Sequence, residues 1–218
     1  MHHPYKFVIR LVVGGYFCLI LISLSAAQEH QAALDQRVSR FLAENRPHWS
    51  DWNIPFEDGR ILFDLVVKGR CRNILEIGTS TGHSTIWLAW AVSKTGGKVT
   101  TIEIDRGRHE EAVKNFKKAG VSSFIQAILG DAHTIVPRLP GPYDFIFCDA
   151  DKEWYPHYFS DLKGKIGPAG CFTAHNVLWS HDPHIRKFLD IVQSDSVFRT
   201  QIVRGSGEGI SISCRTKE

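Results

Sequence analysis

The sequence predicts an α/β fold with one mostly parallel, doubly wound sheet and an antiparallel hairpin at its carboxyl end. Three observations carry this. Short apolar runs such as Asn73-Ile-Leu-Glu-Ile77 and Phe145-Ile-Phe-Cys148 alternate with helical segments, the order that builds a parallel sheet covered on both faces. Phe145 to Cys148 lacks the in–out alternation of a half-exposed strand, so it reads as buried on both sides. Near the end, Thr200 to Arg204 and Gly209 to Arg215 flank Gly205-Ser-Gly-Glu-Gly209, two strands joined by a glycine-rich turn.

The elements follow in order. Lys6 and Arg10 precede an apolar stretch from Leu11 to Leu24, and Ser25-Ala-Ala27 follows. This charged, apolar and small-residue order predicts a secretory signal peptide over residues 1–27, or an uncleaved membrane anchor, ahead of one domain over 28–218. The expected location is exported or membrane-tethered, or cytoplasmic if the segment is not a working signal. Glu29 to Glu44 is a helix with Leu34, Val38, Phe41 and Leu42 on one face, stopped by Pro47. Gly59 to Val67 is a second helix. Asn73 to Ile77, Lys98 to Glu103, Phe124 to Leu129, Phe145 to Cys148 and Gly170 to Ala174 are strands. Between them lie helices at Thr85 to Val92, Arg108 to Ala119, Ala132 to Leu139 and Tyr155 to Leu162, with Ile185 to Ser194 before the hairpin.

Composition excludes some classes. The chain has 218 residues, a net charge of +3 and 22% charged residues, an ordinary globular balance. Basic residues alternate with acids, as in Asp105-Arg-Gly-Arg-His-Glu-Glu111, so there is no nucleic-acid footprint. The five cysteines show neither metal-type spacing nor a dense disulfide framework. Buried thiols are the favoured reading, with a single bridge still open.

Charge gathers at the predicted strand ends. Glu76-Ile-Gly-Thr-Ser-Thr-Gly-His-Ser84 runs from a strand into a helix, and Gly78 and Gly82 allow a tight turn close to a ligand. The spacing G-x-x-x-G is neither the dinucleotide fingerprint nor a P-loop. Glu76 would repel a phosphate and could pair with a cationic ligand group. Glu103 ends the next strand, where an acid can accept ribose hydroxyls. Asp131 follows the third strand, and Asp149, Asp151 and Lys152 follow the fourth. Any one of these is most often a solvated carboxylate. Their recurrence along the carboxyl edge of one sheet, where such folds bind ligands, favours a site. Trp154, Tyr155, Tyr158 and Trp179 lie near these residues in sequence and could wall a planar substrate, although Tyr158 and Phe159 suit a core equally.

Glu-Ile-Gly-Thr-Ser-Thr-Gly-His-Ser, Thr-Ile-Glu-Ile-Asp, Gly-Asp-Ala and Phe-Cys-Asp-Ala-Asp-Lys together resemble the S-adenosylmethionine-dependent O-methyltransferases. Within these they are most similar to the cation-dependent catechol and caffeoyl-CoA group. The likeness runs from about Trp52 to Ser213 and implies a Rossmann-like class I methyltransferase fold. It implies that Glu76, Gly78 and Ser84 hold the methionine part of the cofactor, that Glu103 takes the ribose hydroxyls and that Asp131 and Ala132 border the adenine. By the same likeness, Ile54, in a segment that closes over the cofactor, lies across it. Asp149 borders the cofactor as well and, with His175 and Asn176, would hold a divalent cation. His175 departs from the family, which usually has Asp there. Carboxylate, imidazole and amide suit Mn²⁺ or another transition metal better than Mg²⁺. Lys152 would be the general base, and Trp179, Tyr155 and Glu208 would meet the acceptor. The resemblance implies a small, catechol-like phenolic acceptor, no nucleic acid, membrane contact only through the N-terminal segment, and homodimer pairing. Two other readings stand beside it. A dinucleotide-dependent oxidoreductase is disfavoured by the glycine spacing. A non-catalytic or metal-independent binding protein on the same fold is kept alive by His175 and the export signal.

Overall fold

The computed structural model describes residues 26–49, 52–179 and 181–216, so the N-terminal segment up to residue 25 lies outside the described residues. Helix α1 covers 26–44. It is followed by α2 (Phe56–Gly69), β1 (Asn73–Ile77), α3 (His83–Thr95), β2 (Lys98–Glu103), α4 (Arg106–Ala119), β3 (Ile125–Leu129) and the short α5 (Ala132–Ile135). Then come β4 (Tyr143–Cys148), α6 (Tyr155–Leu162), β5 (Ile166–His175), α7 (Pro183–Ser194), β6 (Phe198–Val203) and β7 (Ile210–Arg215).

The strands form a 7-stranded sheet in the order β3-β2-β1-β4-β5-β7-β6. The first five run parallel, and β7 pairs antiparallel with both β5 and β6. Both faces are covered. Ile74, Val99, Phe145 and Phe147 face the apolar sides of α1 to α4, while Leu75, Ile77, Ile146 and Cys148 face α6 and α7. This is why the apolar run of β4 does not alternate with polar residues: neither of its faces meets water.

Two expectations change. Cys171 and Cys214 are not free thiols but a disulfide, since the antiparallel register places them opposite one another on β5 and β7. A pairing across 43 residues depends on which strand neighbours which, and that order is not written in the local sequence. The helix expected over Ala132 to Leu139 breaks after Ile135 into a 3₁₀ turn, Val136–Arg138, because Pro137 cannot donate the next helical bond. Among the described residues, no helix is long and apolar enough to cross a membrane.

β1 is flanked by β2 on one side and β4 on the other, so the sheet changes direction of winding between β1 and β4. A crevice opens there at the carboxyl ends of the strands. The two flanking loops are laced to the sheet, with Gly78 N–H donating to Ile102 O at 3.1 Å and Asp149 N–H to Ile77 O at 2.9 Å. Gly78 has φ +94, and a Cβ there would collide with the Asp149 carbonyl oxygen. The loops after β1 and β4 therefore touch only because this residue has no side chain.

Candidate active site

The crevice is a cavity of ≈ 800 Å³ whose lining includes Gly78, Ser80, Glu103, Asp131, Ala132 and His133 toward one end. Toward the other lie Asp149, Lys152, His175, Asn176, Trp179 and Glu208, so one space joins the strand ends. Trp52 and Ile104, 77% and 69% exposed, stand at its rim.

At the β1–β3 end, acids are held by neutral donors. Glu103 accepts Ser80 N–H at 2.7 Å through one oxygen and Asp105 N–H at 2.9 Å through the other. Asp131 caps α5 by accepting His133 N–H at 2.9 Å. Both line the cavity. Glu76 differs, because it is fully buried behind the Gly78 turn and does not line the cavity. One of its oxygens takes the hydroxyls of Thr85 and of Thr101, the latter at 2.6 Å, while Oε1 is buried without a partner. Burial pushes this carboxyl up to about 7 against the hydroxyls of Ser84, Thr101 and Thr85. Ser84 is likewise buried off the cavity.

Residues Trp52 to Pro55 lie across the turn after β1. Asn53 Nδ2 donates to Thr81 Oγ1 at 2.7 Å, and the Ile54 carbonyl receives His83 Nδ1 at 2.9 Å. Trp87 Nε1–H donates to the other ring nitrogen of His83, which assigns the proton of this neutral ring to Nδ1. Burial drives His83 down to about 4, so it stays uncharged. The Ile54 side chain points away from the cavity, and its neighbours Trp52, Asn53 and Pro55 supply the lining instead.

The β4–β5 end is an ion-pair chain. Lys152 Nζ donates to Asp149 Oδ1 at 2.8 Å and to Tyr155 Oη at 2.7 Å. His175 Nδ1 sits 3.3 Å from Asp149 Oδ2, close enough to pair but poorly aimed for a hydrogen bond. Its Nε2 reaches Asp58 Oδ2 at 2.8 Å, on the first turn of α2 and 117 residues away. Asp58 is fully buried and also accepts the Ser206 N–H at 2.8 Å and the Ser206 hydroxyl at 2.7 Å. A side chain at Gly205, where φ is +56, would strike the Asp58 carboxylate. Burial opposes charge on Asp149, His175 and Asp58, but the partners prevail. Burial would raise Asp149, yet Lys152 and His175 hold it far below the usual carboxylate range. Burial would lower His175, yet Asp149 and Asp58 push it up to about 9, so the ring is an imidazolium at neutral pH. Asp58 is likewise lowered by His175 and Ser206 against its burial.

Of the expected aromatic walls, Trp179 lines the cavity and donates Nε1–H to Glu208 Oε2 at 2.6 Å. Tyr155 lies beneath the floor, fully buried, with its hydroxyl within 3.2 Å of the Cys148 and His175 carbonyl oxygens. Tyr158 lines the cavity and donates to Asp151 Oδ1 at 3.0 Å, and Asp151 holds His133 Nε2 at 3.0 Å through its other oxygen. Asp151 thereby fixes two lining side chains, a part the sequence did not disclose. Asp58 and Ser206 were missed altogether, because an acid in a helix's first turn is explained by the helix dipole alone. The one available signal was His175, an imidazole in a buried strand end that would need acidic company.

The model of the O-methyltransferase family matches residues 23–191. The chain belongs to the O-methyltransferase family. It is similar to a catechol O-methyltransferase of Niastella koreensis, 40% identical over 124 residues, covering 55% of this chain and 56% of that protein. A caffeoyl-CoA O-methyltransferase of Stellaria longipes is 32% identical over 171 residues, covering 72% and 70%. Matches to several of the curated relatives thus span under two thirds of their length, 56% and 57% in two cases. Among solved structures, the O-methyltransferase TomG of Streptomyces achromogenes, in complex with SAM, aligns at a TM-score of 0.72 and 28% identity, over 83% of this chain and 89% of that one. A Bacillus cereus O-methyltransferase in complex with SAH aligns at 0.70 and 27%, over 85% and 91%.

The cation implied by resemblance finds the expected carboxylate and one nitrogen of the imidazole already engaged. Both nitrogens of His175 face carboxylates, both oxygens of Asp149 face cationic groups, and Asn176 Nδ2 donates to Glu208 Oε2 at 3.2 Å. Among the described residues, no group of three or more His, Cys, Asp and Glu side chains could hold a metal ion. The residues present do not fit a divalent cation.

Proposed function

We propose that this chain is an S-adenosylmethionine-dependent O-methyltransferase acting on a hydroxyl of a small, catechol-like phenolic acceptor. One observation carries the reading: in a member of this family, Gly78, Glu103 and Asp131 open onto the same cavity as Lys152 and Trp179. The cavity falls within the usual size of small-molecule sites. Metal assistance is left out of the reading, because Asp149 and His175 are engaged by protein groups.

The cofactor would supply an electrophilic methyl group on a cationic sulfur. Glu103 would accept the ribose hydroxyls, Asp131 and Ala132 would border the base, and Gly78 would let the methionine part approach the backbone. Glu76 and Ser84 would act from behind the loop by shaping it. Lys152 would take the acceptor's hydroxyl proton, with Asp149 and Tyr155 holding the ammonium that forms. Trp179 and Glu208 would flank the acceptor. Because sulfonium and oxyanion neutralise each other in the transition state, most of the catalytic work is alignment.

A calorimetric titration with S-adenosylmethionine, followed by mass detection of methylated phenols, tests this. Saturable binding and a methylated product are expected, and no binding overturns it.

We also propose that the protein is exported or membrane-tethered, with residues 1–27 as the targeting segment. The Cys171–Cys214 disulfide supports this, since such bridges persist in oxidising compartments. Sequencing the N-terminus of the native protein by fraction is the test. A cytoplasmic protein retaining residues 1–27 would refute it.

A further inference from the structure

We infer that the acceptor site of this chain works without a divalent cation, and that its acceptor therefore needs only one hydroxyl. The inference rests on the O-methyl transfer reading above. Its observation is the bridge Asp58–His175–Asp149–Lys152, in which His175 Nε2 is held by Asp58 and the two oxygens of Asp149 face Lys152 and His175.

The geometry leaves little room for rearrangement. For His175 to offer Nε2 to an ion it must leave Asp58, whose carboxylate is fully buried and keyed to the Ser206 N–H and hydroxyl. A buried carboxylate stripped of its partner is strongly unfavourable. Offering Nδ1 instead means sharing an edge already opposed to Asp149 Oδ2, and the remaining oxygen of Asp149 carries Lys152. Asn176 sits at φ +58 with its amide nitrogen on Glu208, which also receives the Trp179 indole. The imidazole thus occupies the space between two carboxylates that a cation would claim, and Lys152 is the group that remains to face the acceptor.

The consequence is chemical. A bound cation selects a vicinal diol because two adjacent oxygens chelate it. With the amine of Lys152 in that place, one oxygen suffices. In the transfer, the acceptor oxygen forms a bond to the methyl carbon and the carbon–sulfur bond breaks. Its electron pair stays on sulfur, and the hydroxyl proton passes to the Lys152 amine, which has first given up its own ammonium proton to solvent, and from there to solvent.

The test uses the full chain with S-adenosylmethionine bound. Mn²⁺ and Mg²⁺ are titrated calorimetrically, and initial rates are measured on a catechol and on the matching monohydroxylated phenol, with and without EDTA. Expected are no saturable binding of either ion below about 1 mM, the weak end of biological sites, and rates changed less than about twofold by EDTA. The monophenol should reach within about tenfold of the catechol in kcat/KM. Saturable Mn²⁺ binding that His175→Asn abolishes overturns the inference, as does a rate lost in EDTA and restored by Mn²⁺, or methylation confined to diols. If neither phenol is methylated under any condition, the transferase reading fails while the ion titration still decides the cation question. As a positive control on the titration, the double variant Asp58→Asn/His175→Asp, which restores a carboxylate without its partner, should bind Mn²⁺ more tightly than the native chain. Equal, saturable binding by both overturns the inference.

Discussion

At the β1–β3 end of the cavity, Glu103 and Asp131 are held by backbone N–H groups no more than 23 residues away, whereas at the β4–β5 end Asp149, His175 and Asp58 hold one another across as many as 117. The difference is one of charge as well as distance. A backbone N–H orients a carboxylate without bringing an opposite charge, and Glu103 and Asp131 both line the cavity. An ion pair orients and also cancels. Asp58 and Asp149 face His175 and Lys152 along one chain of pairs. One end thus holds its acids without an opposing side-chain charge on Glu103. The other is closed on itself except for Lys152.

The largest effect that would sharpen this contrast is expected at Lys152. Lys152→Ala should lower kcat by about 10² to 10⁴-fold, the usual contribution of a positioned proton acceptor, while cofactor affinity stays within about twofold. Rates and calorimetry on the same preparation check it, and a parallel loss of cofactor affinity would break the separation of the two ends.

Next, Asp58→Ala should destabilise the fold by about 3–5 kcal/mol, because it leaves a buried imidazolium facing a cavity where its partner stood. Urea denaturation measures it. A loss below about 1 kcal/mol would mean that the chain of pairs contributes little.

The pH dependence follows from the same chain. The imidazole of His175 rises from its ordinary 6.5 to about 9 in the folded state, so its stabilisation is complete below pH 6.5 and is lost as pH climbs through 9. Glu76, raised to about 7, works in the same direction but is fully ionised soon above that value. From pH 7 upward the decline therefore belongs to His175 and amounts to as much as about 3 kcal/mol. Denaturation midpoints between pH 7 and 9.5 should fall for the native chain and flatten for His175→Asn.

The smallest effect is expected at the other end. Glu103→Ala should weaken the cofactor by about 10 to 100-fold with kcat at saturation little changed, as for one charged hydrogen-bonding group. If Glu103→Ala instead lowered stability as much as Asp58→Ala, the two ends would not differ in kind.

Much of this was legible along the chain. Asp105 and Asp182 cap α4 and α7 through neighbours a few residues on, and Gly120 stops α4 in a left-handed conformation. Such contacts are short in sequence, and so are the strand-end positions of Glu103, Asp131, Asp149 and Lys152. The expected strand-end residues Gly78, Glu103, Asp131 and Ala132 line the cavity, whereas Glu76, Ser84 and Ile54 stand behind its wall. Whether a loop residue faces inward or backward depends on side-chain direction, which spacing does not record.

What the sequence determined by itself was the alternation of strands and helices, the terminal hairpin and the row of acids along one edge, because apolar periodicity and turn chemistry are local properties. Only the tertiary structure decided that β7 lies beside β5, joining Cys171 to Cys214, and that the start of α2 passes beneath the Gly205–Ser206 turn to bring Asp58 against His175. Those contacts arise from strand order and helix packing. They change His175 from an expected metal ligand into the middle of an ion-pair chain, because what an imidazole does is set by the groups that face its two nitrogens.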